Sequence, residues 1–251
     1  VKLEGKVAIV TGGAMGIGRA MAEGLAEEGA SLVIADLAKA EAAAQEMGAR
    51  GFKAVGVKTD TSSEVETRKM AEAALKAFGR IDVLVNNAGI YTSLVPGPFD
   101  QIKVEEWRRV MDVNVMGVWL CCKAVIEAMR QAGGGRIINL SSGTPFKGIP
   151  FLLHYTASKG AVIALTKALA KEVGKDNILV NSIAPGFTLS DGIMASEAQL
   201  KAFRQISAQV RVLQRDQHPA DLVGAVKFFA GPDSAFITGQ TLVVDGGAYF
   251  H

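Results

Sequence analysis

Seven short apolar runs, rich in β-branched residues and separated by longer helical stretches, constrain this chain of 251 residues more than any other feature. The runs are Val7–Thr11, Ser31–Ala35, Lys53–Lys58, Val83–Asn86, Arg136–Leu140, Leu179–Ile183 and Thr241–Val244. They are too continuously apolar for strands wetted on one face, so each reads as a strand covered on both sides. The helical stretches are Ile17–Glu28, Ala38–Ala49, Ser63–Phe78, Val104–Gln131, Tyr155–Val173, Ala195–Ala208 and Ala220–Ala230. Strand and helix alternate almost to the end, and crossover helices joining parallel strands are the economical solution to that order. The expected fold class is therefore α/β: one Rossmann-like, doubly wound domain over residues 1–251, with helices on both faces of a parallel sheet. Gly186–Gln217 carries no clear strand. It follows the sixth strand at the carboxyl edge, where such folds place ligands, so a partly helical substrate lid over about residues 187–217 is expected there.

Composition removes several classes of function. Hydrophobic residues make up 49% and charged residues 21%, which excludes intrinsic disorder. Lys and Arg number 27 against 25 Asp and Glu, a net charge of +2, so no long-range field draws nucleic acid or an anionic membrane. Cys121 and Cys122 are adjacent, and neighbours rarely bridge, so no disulfide framework is expected. With His154, His218 and His251 scattered, no metal-ligand spacing emerges either. No apolar run approaches the roughly 20 residues that span a bilayer, and the opening VKLEGKVAIVTGG lacks a leader pattern. A reducing compartment, most simply the cytoplasm, is expected.

The first strand runs into Thr11-Gly12-Gly13-Ala14-Met15-Gly16-Ile17-Gly18 and then a helix. Glycines there permit a tight turn and let backbone N–H groups approach a pyrophosphate, which the helix N-terminus also favours. The strand–loop–helix setting is what gives this glycine spacing weight. Asp36 ends the second strand, 18 residues past Gly18. A carboxylate at that place accepts the adenosine ribose hydroxyls and repels a 2′-phosphate. Neither Leu37 and Ala38 after it nor Ala14 and Met15 in the loop supply a base for such a phosphate. The expected cofactor is NAD rather than NADP, the alternative for Asp36 being a helix cap.

Tyr155 and Lys159 lie four apart on an expected helix and share a face. A tyrosine of ordinary pKa near ~10 is a poor base at neutral pH, and a nearby ammonium lowers that value. Tyr155 could then exchange a proton with an alcohol or carbonyl. In isolation, the pair reads equally as a half-buried helix face. Ser142 stands 13 residues before Tyr155, directly after a strand, which puts its hydroxyl at the carboxyl edge.

Thr11–Gly18, Asn86-Asn87-Ala88-Gly89, Tyr155-Thr156-Ala157-Ser158-Lys159 and Pro185-Gly186 resemble, in order and spacing, the short-chain dehydrogenase/reductase family over essentially the whole chain. The resemblance implies an NAD-dependent enzyme interconverting a secondary alcohol and a ketone. It selects Ser142 over Ser141 as the residue that orients the reacting oxygen, and it implies that Asn114 holds a water linking Lys159 to solvent. It places Asp60 at the adenine with Thr61 beside it, Asn87, Ala88 and Gly89 along the adenosine ribose, Pro185, Gly186 and Thr188 around the nicotinamide, and Lys159 on the nicotinamide ribose. Gly12, Met15, Gly16, Ile17, Gly18, Asp36 and Leu37 complete the expected cofactor contacts.

Beyond Ser142 and Tyr155, the residues expected to reach substrate are Tyr91, Thr144, Phe146, Leu152, Leu153, Phe187 and Met194, which suit a hydrophobic or aryl molecule. His154 is expected to point elsewhere. The ending Ile237–Gln240 and Val243–Gly247 is similar to that of NAD-dependent dehydrogenases of aryl alcohols such as 1-phenylethanol. A second reading is a 3-oxoacyl-[acyl-carrier-protein] reductase. Its acidic partner calls for a basic rim, and Arg130, Lys171 and Lys175 are interleaved with Glu127, Glu172 and Asp176. A third reading, a dinucleotide-binding regulator without turnover, fits poorly with a chain that keeps Ser142, Tyr155, Lys159 and Asn114. The family resemblance also implies a homotetramer, built on Val104–Gln131, Tyr155–Val173 and the C-terminal strand. Val118, Leu120, Val125, Val162, Ile163 and Leu165 spread over more than one helix face in support of it. The terminal Tyr249 and Phe250 are expected to bury against a neighbour, with the last five residues ordered.

Overall fold

In the computed structural model, which describes residues 2–250, the chain begins β1 (Val7–Thr11), α1 (Gly16–Glu27), β2 (Ser31–Asp36), α2 (Ala40–Ala49), β3 (Ala54–Lys58), α3 (Glu64–Phe78) and β4 (Val83–Asn86). It continues α4 (Val104–Met111), α5 (Gly117–Gln131), β5 (Gly135–Leu140), α6 (Thr144–Lys147), α7 (Leu153–Val173) and β6 (Ile178–Pro185). The last elements are α8 (Asp191–Met194), α9 (Glu197–Gln209), α10 (Val223–Ala230) and β7 (Thr241–Val244). All seven strands join one parallel sheet in the order β3-β2-β1-β4-β5-β6-β7. The chain builds outward from β1 to β3, then returns to β4 on the other side of β1. The crevice between β1 and β4 is therefore the switch point, where Thr11 is in register with Asn86 and Asn86 with Asn139.

The period-two alternation of each strand splits the core into two layers. From β1, Ala8 and Val10 pack with Met21, Leu25 and Val226 on one face. Val7 and Ile9 pack with Met70, Val125, Met129 and Val162 on the other. Burial on both faces is what made the runs continuously apolar, and all eight residues of β6 are buried.

Three departures from the sequence reading have local causes. The single helix expected over Val104–Gln131 is α4 and α5 joined by a π-helical stretch, Asp112–Met116. One extra residue per turn swings Asn114 inward, where its amide bonds Ile90 and Ser158. The helix after β2 begins at Ala40 rather than Ala38, because the Asp36 carboxylate takes the N–H of Ala38 at 3.1 Å and of Lys39 at 3.5 Å. The stretch expected from Ala220 opens as a 3₁₀ turn, Pro219–Leu222, with a proline in its first turn.

Cys121 and Cys122 are free and buried, and burial pushes the Cys122 thiol up to about 12. Among the described residues no cluster of His, Cys, Asp or Glu could hold a metal, and no helix is long and apolar enough to cross a membrane. Between β6 and α10 the chain makes an excursion containing α8 and α9, and its two ends meet in a parallel bridge between Thr188 and Gln217. The terminal aromatics behave differently from each other. Tyr249 stacks on Phe146 of its own chain, ring centroids 5.5 Å apart, while Phe250 is exposed and His251 lies outside the described residues.

Candidate active site

The carboxyl ends of β1, β4, β5 and β6 open on one cavity of about 340 Å³. Its nucleotide end is shaped by backbone rather than side chains. Gly12 turns the chain at φ +60°. Gly18 passes so close beneath it that a Cβ would fall 2.1 Å from the Gly12 carbonyl oxygen and 2.4 Å from Asn87 Nδ2. Met15 precedes α1 without a side-chain cap, and the first turn has no acidic residue of its own; Asp191 Oδ2 accepts the Gly16 N–H at 3.1 Å, which leaves the Ile17 and Gly18 amides and the positive end of the dipole. Asp36 borders the same cavity and accepts the Ala14 N–H at 3.3 Å, tying the loop to the end of β2. A tightly packed glycine turn without side chains, the Ile17 and Gly18 amides and an acid at the next strand end fit a dinucleotide pyrophosphate and ribose. Asp36 also bonds the start of α2, so its capping reading holds alongside the first.

At the other end, Ser142 follows β5 and Tyr155 and Lys159 sit on the first turns of α7. Ser141 is spent elsewhere, donating its hydroxyl to the Lys159 carbonyl at 2.8 Å. Ser142 lines the cavity, its Oγ accepts the Thr144 N–H at 3.2 Å, and its bond to the Tyr155 hydroxyl draws that phenol's pKa down. Burial wins nonetheless, and Tyr155 is pushed up to about 12. Burial acts on Lys159 in the opposite sense, bringing the ammonium down to about 8. The sequence reading had the lysine lowering the tyrosine. Here Lys159 Nζ donates to the Leu140 carbonyl at 2.8 Å and stands 5.8 Å from the Tyr155 ring centroid, and desolvation governs both groups. At neutral pH Tyr155 therefore carries its proton, the form that can give one to a carbonyl oxygen.

Asn114 converges on the same place. Its Oδ1 accepts the Ile90 N–H at 2.7 Å, and its Nδ2 donates to the Ile90 carbonyl and to Ser158 Oγ, each at 3.1 Å. A Cβ on Gly89 would come 3.1 Å from Asn114 Oδ1 and 3.5 Å from Lys159 Nζ, so the backbone there runs close past both groups. The Tyr91 ring lies 4.6 Å from that of Tyr155, centroid to centroid, and burial raises its phenol well above the ordinary range.

The cavity brings together Gly12, Met15, Gly16, Ile17, Gly18, Asp36, Asn87, Ala88, Gly89, Pro185, Gly186 and Thr188 with Tyr91, Ser142, Thr144, Leu152, Tyr155, Lys159 and Phe187. Other expected contacts stand apart from its wall. Leu37 and Met194 are 53% and 52% exposed, Leu153 faces outward, and Phe146 is turned to Tyr249. Asp60 bonds Ser62, which holds its carboxyl below the usual range, and Thr61 is buried under Gly117. His154 points away, 3.0 Å from Glu106 and stacked on Trp107. Sequence reasoning missed Lys147, Ile149, Ser190, Ile193 and Phe203 in the wall. Phe203 carried a signal, as the one aromatic of α9. Lys147 ends the single-turn helix α6 and Ile149 follows it, a stretch too short to show periodicity.

The chain is similar over nearly its whole length to known oxidoreductases. A family model described as enoyl-(acyl carrier protein) reductase matches residues 12–249. An uncharacterized oxidoreductase of Methylorubrum extorquens is 38% identical, over 98% of this chain and 98% of its own. A 3-oxoacyl-[acyl-carrier-protein] reductase of Synechocystis is 38% identical over 98% of this chain and 97% of its own. The crystal structure of a 3-ketoacyl-(acyl-carrier-protein) reductase from Brucella melitensis, complexed with NADH, superposes with a TM-score of 0.89 at 35% identity, covering 99% of this chain and 100% of that one.

The depressed Lys159 makes a stability prediction. A lysine whose folded pKa is about 8 binds its proton less well than in the unfolded chain, so its penalty is full below that pH and vanishes above the unfolded value near ~10.4. At pH 7 the penalty is roughly 3 kcal/mol. Lys159→Met should therefore melt a few degrees above the wild type at pH 7, with the gain shrinking as pH rises toward about 10. Calorimetry at the two pH values checks it, and a variant less stable at pH 7 would contradict the assignment.

Proposed function

We propose the following activity for this chain, which belongs to the short-chain dehydrogenase/reductase family: it is an NAD(H)-dependent oxidoreductase that interconverts a 3-oxoacyl thioester and its 3-hydroxyacyl counterpart. The observation that carries the reaction type is the convergence of Ser142, Tyr155 and Lys159 in a cavity whose far end holds Asp36 and the Gly12–Gly18 turn. The substrate class is supported by relatives named as 3-oxoacyl-[acyl-carrier-protein] reductases over nearly the full chain, which raises to first place the reading the sequence ranked second. Bound in this cleft, the dinucleotide supplies a hydride for the carbonyl carbon in reduction. Ser142 and Tyr155 hold the reacting oxygen, and Tyr155 gives it the proton. Lys159 and Asn114 stand behind Tyr155 as its route for replacing that proton. Asp36 takes the adenosine ribose hydroxyls, a role that disfavours a 2′-phosphate.

A hydrophobic or aryl secondary alcohol is the second reading, supported by the apolar wall of Ile149, Leu152, Phe187 and Phe203. The rim suggested for a carrier protein is largely neutralised, since Arg130 pairs with Asp176 at 2.8 Å and Glu127 at 3.6 Å. A homotetramer is the assembly that goes with this reading. Of the apolar residues expected to spread over more than one helix face, Val118, Leu120, Val125 and Val162 are buried within the chain itself, and Ile163 and Leu165 are half-buried. Apolar side chains open to a partner include Val104 and Trp107 on α4, Met116 and Trp119 at α5 and Leu153 on α7, with Phe236 and Leu242 at the β7 edge.

Initial rates with acetoacetyl thioesters, free and carrier-bound, and with acetophenone test the activity. A thioester should be reduced with NADH at a kcat/KM at least about a hundredfold above that with NADPH, or ~3 kcal/mol. Equal use of the two cofactors would overturn the role of Asp36, and turnover of acetophenone alone would favour the second reading. Sedimentation equilibrium at micromolar concentration should give a tetramer, and a monomer would refute that assembly.

A further inference from the structure

Two lysines line the cavity, and the chemistry above uses one of them. Lys147 is the other. It ends α6, a single turn closed by Gly148 at φ +61°, whose N–H returns to the Thr144 carbonyl at 3.0 Å. Its ammonium lies 2.8 Å from Asp245 Oδ2. A Cβ on Gly143 would come 3.5 Å from Lys147 Nζ, so the ammonium stands over the residue next to Ser142. Asp245 is a fixed counter-ion. Its side chain is only 2% exposed, and its Oδ1 accepts the N–H groups of Gly247 and Ala248.

Arg204 and Arg215 are matched by Asp216 and Asp221. Lys147 pairs with Asp245, while Arg211 interacts with Asp216, Asp245 and Asp221 together and its guanidinium is bonded to the carbonyls of Phe187 and Arg215. The same wall carries the apolar side chains Ile149, Leu152, Phe187 and Phe203, which hold water back and strengthen the attraction of an ammonium for an acceptor. An ammonium has three donors, and Asp245 is its one charged partner among the described residues.

We propose that Lys147, oriented by Asp245, binds a second substrate oxygen: the carbonyl or carboxylate oxygen of a group β to the reacting carbonyl. This rests on the reading that Ser142 and Tyr155 hold the first oxygen, and it makes Lys147 the residue that separates 3-oxoacyl compounds from simple ketones. An apolar pocket alone discriminates weakly, whereas a charged donor left unpaired by the wrong substrate discriminates strongly.

The test compares kcat/KM for ethyl 3-oxobutanoate with that for an unfunctionalised methyl ketone of equal length, using NADH and the full-length enzyme. Wild type should favour the keto ester, and Lys147→Met should reduce the preference at least about tenfold, mainly through KM, while Lys147→Arg keeps most of it. A preference unchanged in Lys147→Met, or absent in wild type, would overturn the proposal and leave carbonyl reduction standing. Should wild type reduce neither compound, the proposed activity fails, and the affinity of the enzyme–NADH complex for ethyl 3-hydroxybutanoate decides Lys147 by itself: weaker binding in the variant supports it and equal binding overturns it. Lys147→Gln, which retains a donor for Asp245 without the charge, serves if the methionine variant does not fold.

Discussion

The side-chain amide of Asn87 ties the two halves of the site together. Its Nδ2 donates to the carbonyls of Thr11 and Gly12, each at 3.0 Å, while Thr11 Oγ1 accepts the N–H groups of Asn87 and Ala88, each at 3.1 Å. Each bond contributes about 1 kcal/mol, yet leaving any of these groups unpaired would cost more. The reason for the knot is topological. At the switch point the chain leaves β1 and β4 in opposite directions, and no ladder bond spans the gap beyond Thr11 and Asn86. Asn87 bridges it, and Gly18 can then pass beneath Gly12. The phosphate turn on one side and the Gly89–Tyr91 segment on the other inherit their positions from that bridge.

The second half of the site is bought against stability. Tyr155 and Lys159 are buried and shifted in opposite directions, to about 12 and about 8. Desolvation of an ammonium opposes folding at neutral pH, and the Leu140 carbonyl offsets part of it. What burial provides is a separation in pKa: Tyr155 keeps its proton beside Ser142, and Lys159, close to Gly89, gives up its own more readily. Asn114 is held in the same setting by a local departure from helical geometry, the π-helical stretch that turns it toward Ile90 and Ser158. Function here is concentrated where regular structure gives way.

Much of this was legible in the sequence, because strands buried on both faces and a glycine turn between strand and helix leave strong local patterns. All seven strands appear, β1, β4 and β7 with their expected bounds. The irregular features were illegible for a common reason: they are decided by contacts between distant residues. The π-helical stretch depends on Asn114 meeting Ile90, which no window around residue 114 reveals. Lys147 gains its meaning from Asp245, almost a hundred positions away, and Phe203 from the folding of α9 over the cavity. Expected contacts such as Met194 and Phe146 missed the wall because each sits on a single-turn helix, α8 and α6, too short for the sequence to set which way it faces, and Phe146 turns to Tyr249. The direction of the Tyr155 shift was misjudged because sequence supplies the neighbouring charge but not the degree of burial.

The account makes Tyr155 and Lys159 a single proton-carrying unit, in which loss of one proton leaves either a neutral amine beside a phenol or an ammonium beside a phenolate. Its most direct test is the pH dependence of kcat/KM for oxidation of a 3-hydroxyacyl substrate with NAD, from about pH 6 to about pH 10, in wild type and Tyr155→Phe. Wild type should rise about tenfold per pH unit and level off once the pair has lost its first proton, in the region of pH 8 set by Lys159. Tyr155→Phe should lose nearly all turnover together with that rise. A variant that kept more than about a tenth of the activity, with the wild-type profile intact, would contradict the account.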